Sequence, residues 1–452
     1  MAKLKALTGM NDMLPQDAYR WDFVKKTCFE TARLHGFREI RTPVVEYTEL
    51  FQRGVGETTD VVQKEMYTFD DRGGRSLTMR PEMTAGVVRA AVEHGLTADT
   101  LPAKLCYVAS CYRAERPQAG RYREFFQFGV ELLGSESPAA DADVISLASE
   151  VIAALGIKGV SLELNSIGCP TCRKKYHEAL VEFFKKREDE LCETCRGRLE
   201  KNPMRILDCK SPICKEIAEG APVMLDYLCD ECAEHFEGVK KRLEAMNIVY
   251  TVNPKIVRGL DYYTRTVFEF VSDSLGAQST CCGGGRYDGL SEAIGGSKCP
   301  SLGFGMGLER IMLIMDAQGC EFPPEEKTTI YLAPMGEAAS VKCAKIAADL
   351  RAEGFSAETD LCGRSVKAQM KYANKLGVKY TVVVGDSELE SGMVKLRNME
   401  DGTEKEISLD EGILDELYDA GIADSLGKLE AMTGDMDGLI DVAKLFGGAS
   451  EE

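Results

Sequence analysis

A cysteine-rich segment interrupts the strand-like pattern of this chain and restricts the folds that it can adopt. The stretches VSLELNS (160–166) and NIVYTVN (247–253) have the composition of β-strands. The residues between them, from about 169 to 245, are instead charged, helix-like and rich in cysteine. Such a change of composition between two strands predicts a helical insertion within a mixed α/β domain.

The cysteines of this segment come in four pairs with the spacing of metal ligands. Two such pairs can place four thiolates around a tetrahedral Zn²⁺ in a closed, structural site. The segment is also short of aliphatic residues for its length, so a metal would help to hold it together. We therefore predict up to two structural Zn²⁺ ions, bound by Cys169, Cys172, Cys192, Cys195, Cys209, Cys214, Cys229 and Cys232.

The sequence leaves open both the pairing of these cysteines and the nature of the site. Eight free thiols, an iron–sulfur cluster, or metal ligation that includes His177 or His235 are also compatible with the pattern.

The length and charge of the chain limit its class. A chain of 452 residues is too long for one ordinary core and should form two or three domains. A net charge of -18 argues against nucleic-acid binding over the whole surface, although a local basic face is compatible with it. No apolar run approaches the roughly 18 to 20 residues of a membrane span, and the first residues do not resemble a secretory signal. We therefore expect a cytoplasmic protein that does not enter a membrane and whose 17 cysteines are reduced or bind metal.

Periodic patterns predict the main elements outside the insertion. We expect an amphipathic helix over 16–35, a strand over 36–51 that is interrupted at Pro43, and a hairpin formed by 101–115 and 123–134. CCGGGRYDGL (281–290) is interpreted as a glycine loop, and LGFGMGLERIMLIM (302–315) as a glycine-spaced stretch followed by an apolar helix. The prolines and charges of EFPPEEKT (321–328) predict a domain boundary before a small α/β domain that ends near residue 410.

Neither glycine-rich segment has the features of a nucleotide-binding loop. Both lack the Gly-Lys-Ser/Thr ending of a Walker loop, and neither forms a dinucleotide-binding fingerprint between a strand and a helix. The glycines alone therefore indicate tight turns.

Three arginines occupy positions that a core element would not favour. Arg113 lies in an apolar strand pattern, Arg310 begins an apolar helix, and Arg258 precedes an alternating strand, RTVFEF (265–270). Arginine is rarely buried without a partner, and its planar guanidinium suits phosphate and carboxylate. A structural ion pair could explain any one of the three. Together they predict a site for a polyanion and a small polar ligand, with help from Glu82, Glu115, Glu131, Phe125, Tyr263 and Tyr287.

Five segments, taken in order, resemble the histidyl-tRNA synthetase family of class II aminoacyl-tRNA synthetases. They are TMRPEMTAG (78–86), CYRAERPQAGRYREFFQFGVELLGS (111–135), RGLDYYTRTVFEF (258–270), GGGRYDGL (283–290) and LGFGMGLERIM (302–312). The resemblance covers roughly residues 1–410, and RGLDYY with GGGRYDG separates this family from its relatives.

The resemblance implies the architecture of the chain. We expect an α/β (α+β) protein in which an antiparallel-sheet catalytic domain carries a helical, cysteine-rich insertion and is followed by a small α/β anticodon-binding domain. The expected ranges are 1–168 and 247–325 for the two parts of the catalytic core, 169–246 for the insertion, 326–410 for the anticodon-binding domain and 411–452 for an acidic C-terminal extension.

The resemblance also implies roles for single residues. Arg113 and Arg258 would be catalytic, with Arg113 on the α-phosphate of ATP and Arg258 between that phosphate and the histidine carboxylate. Phe125 would stack on adenine. The ATP-binding residues would be Arg113, Glu115, Arg121, Phe125 and Arg310, and the histidine-binding residues Glu82, Gln127, Glu131, Arg258, Tyr263 and Tyr287.

The implied activity has two steps. The chain would activate L-histidine with ATP to give histidyl-adenylate and pyrophosphate, using arginines and Mg²⁺ to stabilise an in-line displacement, and would then transfer histidine to the 3′ end of its tRNA. The segment around Pro43 would form the interface of a homodimer. Expected tRNA contacts are Arg116 and Gln118 near the acceptor end, and Lys367, Lys371 and Lys375 at i, i+4 and i+8 on one helical face.

Two alternatives accompany this interpretation. One is a non-catalytic, histidine-binding paralogue that regulates histidine biosynthesis, which would be expected to lack the anticodon-binding domain and some arginines of the site. The other is a different class II synthetase, for which RGLDYY and GGGRYDG would be hard to explain.

Overall fold

The computed structural model describes residues 3–433 except residues 58, 99, 201, 208, 210, 257 and 279, with the backbone alone for 276–278 and 423–433. Residues 434–452, which belong to the predicted acidic extension, lie outside this description. The chain divides into two compact units between Pro323 and Pro324, within the linker EFPPEEKT.

The first unit begins with twelve elements that lead to the insertion. The helices are α1 Pro15–Leu34, α2 Thr48–Val55, α3 Thr84–Glu93 and α4 Pro138–Ala154, with a π-helical turn at Val61–Glu65. The strands are β1 Arg38–Glu39, β2 Val45–Tyr47, β3 Tyr67–Asp70, β4 Ser76–Met79, β5 Ala103–Tyr112, β6 Glu124–Leu133 and β7 Val160–Ser166.

The insertion is helical, as its composition predicts. It contains α5 Pro170–Lys185, α6 Glu193–Arg198, α7 Met204–Leu207, α8 Pro212–Ala218 and α9 Asp230–Ala245, with short 3₁₀ turns at Glu188–Glu190 and Met224–Tyr227. The first unit then ends with β8 Tyr250–Val252, β9 Thr264–Ser272, a 3₁₀ segment Asp273–Gln278, β10 Thr280–Arg286, α10 Leu290–Ala293, β11 Ser301–Gly307 and α11 Leu308–Gln318.

An eight-stranded sheet forms the framework of the first unit. Its order is β1-β5-β6-β11-β10-β9-β7-β8, and only the two outer pairs, β1 with β5 and β7 with β8, are parallel. A separate antiparallel sheet has the order β2-β4-β3. The long hairpin β5–β6 joins Ala103 to Leu133 at one end and Tyr112 to Glu124 at the other, which confirms the predicted hairpin.

Alternation along the strands places apolar and polar residues on opposite faces of the large sheet. Phe128, Val130 and Leu132 of β6 pack with α1, α4, α9 and α11 in one large core. Gln127 and Glu131 alternate with them and therefore point to the other face. An antiparallel sheet can have one face that is not covered by helices. In this protein the uncovered face carries the candidate site.

A fully buried ion pair ties the sheet to its covering helices. Arg286, at the end of β10, donates from Nη2 to Oδ2 of Asp141 on α4 at 2.7 Å, and both side chains are about 1% exposed. The same guanidinium donates to the carbonyl oxygens of Ser135 and Ser137. His235 of α9 places Nε2 at 3.3 Å from Oδ1 of Asp141. Burial alone would raise the pKa of Asp141, but the charge of Arg286, together with its hydrogen bonds and the contact with His235, outweighs burial and holds this pKa below its usual value.

The second unit is a small α/β domain. It comprises β12 Ile330–Pro334, α12 Glu337–Ala352, β13 Ala357–Thr359, α13 Val366–Leu376, β14 Tyr380–Val384, α14 Asp386–Ser391, β15 Met393–Asn398, β16 Glu404–Ser408 and α15 Gly412–Thr433. Its sheet has the order β13-β12-β14-β15-β16, in which β12 is parallel to both neighbours. Ile413 and Leu417 of α15 belong to the core of this domain, so the beginning of the acidic extension packs as part of it.

Two predicted elements differ from the structure. The segment 281–290 is not a glycine loop, because residues up to Arg286 form strand β10 in the middle of the large sheet. The predicted strand 36–51 is also partly wrong, since it breaks into β1 and β2 around Pro43 and continues as helix α2 from Thr48. Thr48 is buried and its hydroxyl lies 2.9 Å from that of Thr78, a tertiary contact that favours the helix over a longer strand.

Candidate active site

A cleft of about 500 Å³ lies over the face of the large sheet that the helices leave open. Strands β5, β6, β9, β10 and β11 contribute to it, together with the loop before β9 and the first turn of α11. The cleft brings together most of the predicted site residues: Glu82, Arg113, Glu115, Arg121, Phe125, Gln127, Arg258, Tyr263 and Arg310.

Glycines at alternate positions form the floor of the cleft. A Cβ atom at Gly283 would collide with the Arg258 guanidinium, and one at Gly303 would collide with the Glu131 carboxylate. Functional side chains from β6 and from the loop before β9 therefore lie where the side chains of β10 and β11 would otherwise be. The glycines are required by close approach within a sheet, not by a turn.

One end of the cleft concentrates positive charge. Arg113 donates from Nε to the carbonyl oxygen of Pro81 at 2.9 Å, and its guanidinium lies 5.2 Å from the ring centre of Phe125. Arg310 donates from Nε to the carbonyl oxygen of Gly120 at 3.0 Å. Burial lowers the pKa of Arg310, and the charges of Arg121 and Arg113 lower it further. This repulsion among three guanidinium groups would be relieved by a bound polyanion.

Two carboxylates flank these arginines. Glu115 accepts a hydrogen bond from Nη1 of Arg121 at 3.1 Å. Glu309, in the first turn of α11, accepts from the backbone N–H of Phe126 at 2.9 Å, and burial raises its pKa to about 7. Glu309 had no role in the sequence interpretation.

Arg258 also lines the cleft. It belongs to the irregular segment 258–263, which we call the Arg258 loop. Its Nη1 pairs with the Glu269 carboxylate, and its guanidinium lies 5.6 Å from the ring centre of Tyr263. Its buried Nε has no hydrogen-bond partner among the described residues, so the group retains donor capacity for a ligand.

The other end of the cleft is lined by buried hydrogen-bonding groups. Glu82 is 3% exposed and accepts from the backbone N–H groups of Thr84 and Ala85 at 2.7 and 2.9 Å. Burial raises its pKa. Gln127 and Tyr263 also line the cleft.

Glu131 and Tyr287 do not line the cleft but lie immediately behind it. Glu131 is fully buried and accepts hydrogen bonds from Thr84, Tyr107 and Tyr287. Burial raises the pKa of Glu131 to about 8. Thr84 and Tyr107 line the cleft, so Glu131 supports its wall through them.

Several cleft residues had no role in the sequence interpretation, and four of them are Thr84, Tyr107, Tyr262 and Glu269. Alternation along RTVFEF already puts Glu269 on the face opposite Phe268 and Phe270, so a carboxylate partner for Arg258 was visible as a pattern. The other three become apparent only when distant strands meet.

The predicted tRNA contacts lie outside the cleft. Arg116 and Gln118 are exposed in the loop between β5 and β6, where Gln118 pairs through its backbone with Arg121. Lys367, Lys371 and Lys375 are exposed on α13 in the second unit.

The eight cysteines of the insertion form two nested groups. The outer group joins the first and last pairs, Cys169, Cys172, Cys229 and Cys232, and the inner group joins the middle pairs, Cys192, Cys195, Cys209 and Cys214. Within each group all four Sγ atoms lie within 4.8 Å of one another. Neither group includes His177 or His235 among the described residues.

The antiparallel sheet, the arginine-lined cleft and the separate small α/β unit are together the arrangement expected of a class II aminoacyl-tRNA synthetase. A family model described as histidyl-tRNA synthetase matches residues 9–311, and one described as an anticodon-binding domain matches 329–414. Histidine–tRNA ligases of Clostridium perfringens (strain SM101 / Type A) and Acetivibrio thermocellus are 52% and 53% identical to this chain, in each case across 90% of it and 97% of the relative.

Solved structures agree with these relatives. The apo histidyl-tRNA synthetase of S. aureus is 37% identical, with a TM-score of 0.78 across 90% of this chain and 98% of that one. The chain belongs to the histidyl-tRNA synthetase family. It is an ATP-dependent ligase that attaches histidine to tRNA.

The paralogue alternative has less support. A protein from Bacillus halodurans described as an ATP phosphoribosyltransferase regulatory subunit/histidyl-tRNA synthetase matches with a TM-score of 0.60 at 21% identity, which shows a shared fold alone. The relatives of about 52% identity are instead ligases, and this chain contains the anticodon-binding domain.

None of the helices in the described part of the chain has the length and apolar character that a membrane span requires.

Proposed function

We propose that the cleft binds ATP at its arginine end and histidine at the end beyond Arg258. The observation that carries this assignment is that a single cleft is lined by the cluster of Arg113, Arg121 and Arg310, by Arg258, and by the hydrogen-bonding groups Glu82, Gln127 and Tyr263. Arg121 and Arg310 hold the outer phosphates, and Phe125 stacks on adenine. Carboxylates Glu115 and Glu309 are suited to carry Mg²⁺, which would neutralise phosphate charge.

Activation is an in-line displacement at the α-phosphorus. A carboxylate oxygen of histidine forms a bond to phosphorus as the bond to the pyrophosphate oxygen breaks, which gives histidyl-adenylate and pyrophosphate. Arg113 and Arg258 stabilise the charge that develops on the α-phosphate oxygens. Arg258 is held in place by Glu269, so its charge is oriented before the substrates bind. The chain supplies positioning and charge, and no covalent nucleophile is required.

Transfer to tRNA uses the same cleft. A terminal ribose hydroxyl of the tRNA attacks the histidyl carbonyl, and AMP leaves. We assign Arg116 and Gln118 to the acceptor end because they are exposed on the loop that also carries Arg121. We assign Lys367, Lys371 and Lys375 to the anticodon arm of the tRNA. The reaction takes place in the cytoplasm, where tRNA is charged.

Selection of histidine depends on buried hydrogen-bonding groups. A ligand that fails to pair with such groups leaves them unsatisfied, at a cost of about 1–3 kcal/mol each. Glu82, Gln127 and Tyr263 face the ligand. Glu131 and Tyr287 form the base of this end, and a carboxyl whose pKa is about 8 can hold a proton near neutral pH.

The two ends of the cleft should respond separately to mutation. We expect Tyr263→Phe to weaken histidine binding about tenfold, because one buried hydroxyl partner is lost, and to leave ATP binding within about twofold. Phe125→Ala is the matched control and should have the opposite effect. Separate calorimetric titrations of the two ligands measure both constants, and equal losses for both ligands in Tyr263→Phe would contradict the assignment.

We further propose that the segment around Pro43 forms the interface of a homodimer. Large apolar side chains are exposed on it and on the neighbouring small sheet, with Val44 38%, Val45 37%, Tyr47 56% and Phe69 46% exposed. A cluster of exposed apolar residues of this kind is typical of a protein–protein interface.

We propose that each cysteine group binds one structural Zn²⁺. A Zn–S bond of about 2.3 Å in tetrahedral geometry separates the sulfur atoms by about 3.8 Å. The Sγ atoms of Cys192 and Cys209 are 3.8 Å apart, and those of Cys169 and Cys172 are 3.5 Å apart. Backbone N–H groups point at the sulfurs, as from Cys229 to Cys172 at 3.0 Å. Four cysteine ligands would leave no open coordination position for catalysis at either site. We therefore assign the metal a structural role in the insertion domain, residues 169–246.

Metal analysis of protein purified without chelator tests this proposal. We expect two zinc ions per chain in the parent and one in the variant with both Cys169→Ser and Cys172→Ser. The matched variant with Cys192→Ser and Cys195→Ser should also retain one, because the two groups share no ligand. Absence of zinc from the parent, iron in its place, or equal zinc contents in the parent and both variants would contradict the proposal.

A further inference from the structure

The insertion makes direct contacts with the Arg258 loop, residues 258–263. This loop contains Arg258 and Tyr263 but no regular secondary structure, so its conformation depends on neighbouring elements. Its catalytic-domain support includes a hydrogen bond from the backbone N–H of Asp261 to the carbonyl oxygen of Val55 at 3.1 Å. The opposite side of the loop faces the insertion.

Two arginines of the insertion bind the loop near its two ends. Arg205, on α7, donates from Nη2 to the carbonyl oxygen of Gly259 at 2.7 Å and to Oδ1 of Asp261 at 3.1 Å. Arg173, on α5, donates from Nη1 to the carbonyl oxygen of Tyr263 at 3.1 Å. Both arginines therefore bind the backbone of the segment that presents Arg258 and Tyr263 to the cleft.

A backbone link strengthens the contact at the end of the loop. The N–H of Arg265 donates to the carbonyl oxygen of Gly168 at 2.9 Å, and the N–H of Ile167 donates to that of Arg265 at 2.8 Å. Arg265 has a φ of 51°, a left-handed conformation that is unfavourable for a residue with a long side chain and must be maintained by its surroundings. Gly168 immediately precedes Cys169, the first cysteine of the outer group.

The cysteine groups hold both arginines. Arg173 directly follows Cys172, and its backbone N–H donates to the carbonyl oxygen of Cys169 at 2.9 Å. Arg205 lies between Cys195 and Cys209 of the inner group, and the N–H of Cys209 donates to the carbonyl oxygen of Ile206 at 3.1 Å. Cysteines also make up much of the insertion core, so the order of this core depends on how their thiols are held.

We propose that the insertion is a metal-dependent brace for the Arg258 loop, with Arg173 and Arg205 as its positioning residues. This inference rests on the proposed zinc sites and on the histidine-binding role of the loop. Loss of metal would loosen both arginines and thereby lower the affinity for histidine. ATP binding would be spared, because Arg113 and Arg310 are anchored to carbonyl oxygens of the catalytic domain, at Pro81 and Gly120.

The first test removes the two guanidinium groups and keeps the cysteines. In the double variant Arg173→Met and Arg205→Met, we expect the calorimetric Kd for histidine to rise about ten- to a hundredfold. The Kd for ATP and the zinc content should match the parent. Deuterium uptake at the backbone amides of Asp261 and Arg265 should become faster, because the loop opens more often.

Two further variants control for general damage to the insertion. Arg196→Met removes an exposed arginine of α6. Arg196 lies between Cys195 and Cys209 in the sequence, as Arg205 does, but its removal should leave histidine affinity unchanged. Arg173→Lys should retain most of the affinity, because a single ammonium can still donate to the Tyr263 carbonyl oxygen. A double variant with parental histidine affinity, or with equal losses for histidine and ATP, would overturn the brace.

The second test removes metal and keeps the arginines. The variant with Cys169→Ser and Cys172→Ser should lose one zinc ion and show the same selective loss of histidine affinity. Zinc loss with unchanged histidine affinity would overturn the metal dependence. If the parent contains no zinc, the zinc proposal and the metal dependence fail together, and the arginine variants still decide whether the insertion braces the loop.

Discussion

Replacement of Arg258 by alanine is expected to lower the rate of histidyl-adenylate formation by about 10² to 10³ while the protein still folds. A charge that is oriented in advance toward a developing oxyanion contributes on this order to catalysis. Arg258 fits this description because Glu269 and Tyr263 hold its guanidinium in the cleft. Histidine-dependent exchange of labelled pyrophosphate into ATP measures the step directly.

The conservative variant Arg258→Lys controls for charge alone. Lysine keeps the charge but cannot contact Glu269 and a ligand with the same planar group, so an intermediate rate is expected. The urea-unfolding midpoint of both variants should stay close to that of the parent, since Glu269 keeps a hydrogen bond from the Thr280 hydroxyl at 2.8 Å. A rate for Arg258→Ala within a few-fold of the parent would refute the role.

Substitution of Asp141 by alanine is expected to destabilise the protein by about 3–5 kcal/mol. The cost arises because the Arg286 guanidinium would remain buried without its carboxylate. The pKa of Asp141 is lowered in the folded protein, so the pair stabilises the fold above the ordinary carboxyl pKa and loses this contribution as the pH falls below it. Urea unfolding at pH 7 measures the change in the free energy of unfolding.

Glu150→Ala on the same helix is the matched control. Its carboxylate lies 3.0 Å from Nε2 of His35 but is 54% exposed, and exposed pairs contribute about 0–1 kcal/mol. A loss for Asp141→Ala as small as that of Glu150→Ala would show that the buried pair does not stabilise the fold.

Local patterns predicted the elements whose character depends on neighbours in sequence. The hairpin β5–β6 and strand β7 are confirmed, because alternation of apolar residues reports directly on a sheet with one covered face. Helix α1 is also confirmed within one residue at each end.

The glycine segment was misinterpreted because its cause is not local. Gly283 and Gly303 leave room for Arg258 and Glu131, which are contributed by other parts of the chain. From sequence alone, a glycine run in a strand cannot be distinguished from a turn, because the side chains that pack against the glycines are not known. The buried Arg286–Asp141 pair was missed for the same reason, since its partners are far apart in sequence.

The candidate site was predicted from two kinds of sequence information that differ in how much they specify. The residues alone indicated a site for a polyanion and a small polar ligand, and the resemblance supplied the individual roles. Thr84 and Tyr107 were absent from both, because they act on the site residues through contacts that only the folded sheet creates. Glu269 was also absent, although the alternation of its strand already placed it on the face opposite Phe268 and Phe270. The pairing of the cysteines could not be predicted for a similar reason, because their nested arrangement is a property of the folded insertion.

The nested cysteine groups imply an order in which the insertion is built. All four inner ligands, which end at Cys214, leave the ribosome before Cys232 completes the outer group. Closing the inner group shortens the flexible chain that the outer group must enclose, and the entropic cost of closing a loop rises with its length. The insertion is therefore completed from the inside outward. The Arg258 loop follows both groups in the chain, so it emerges after the cysteines of the insertion that contacts it.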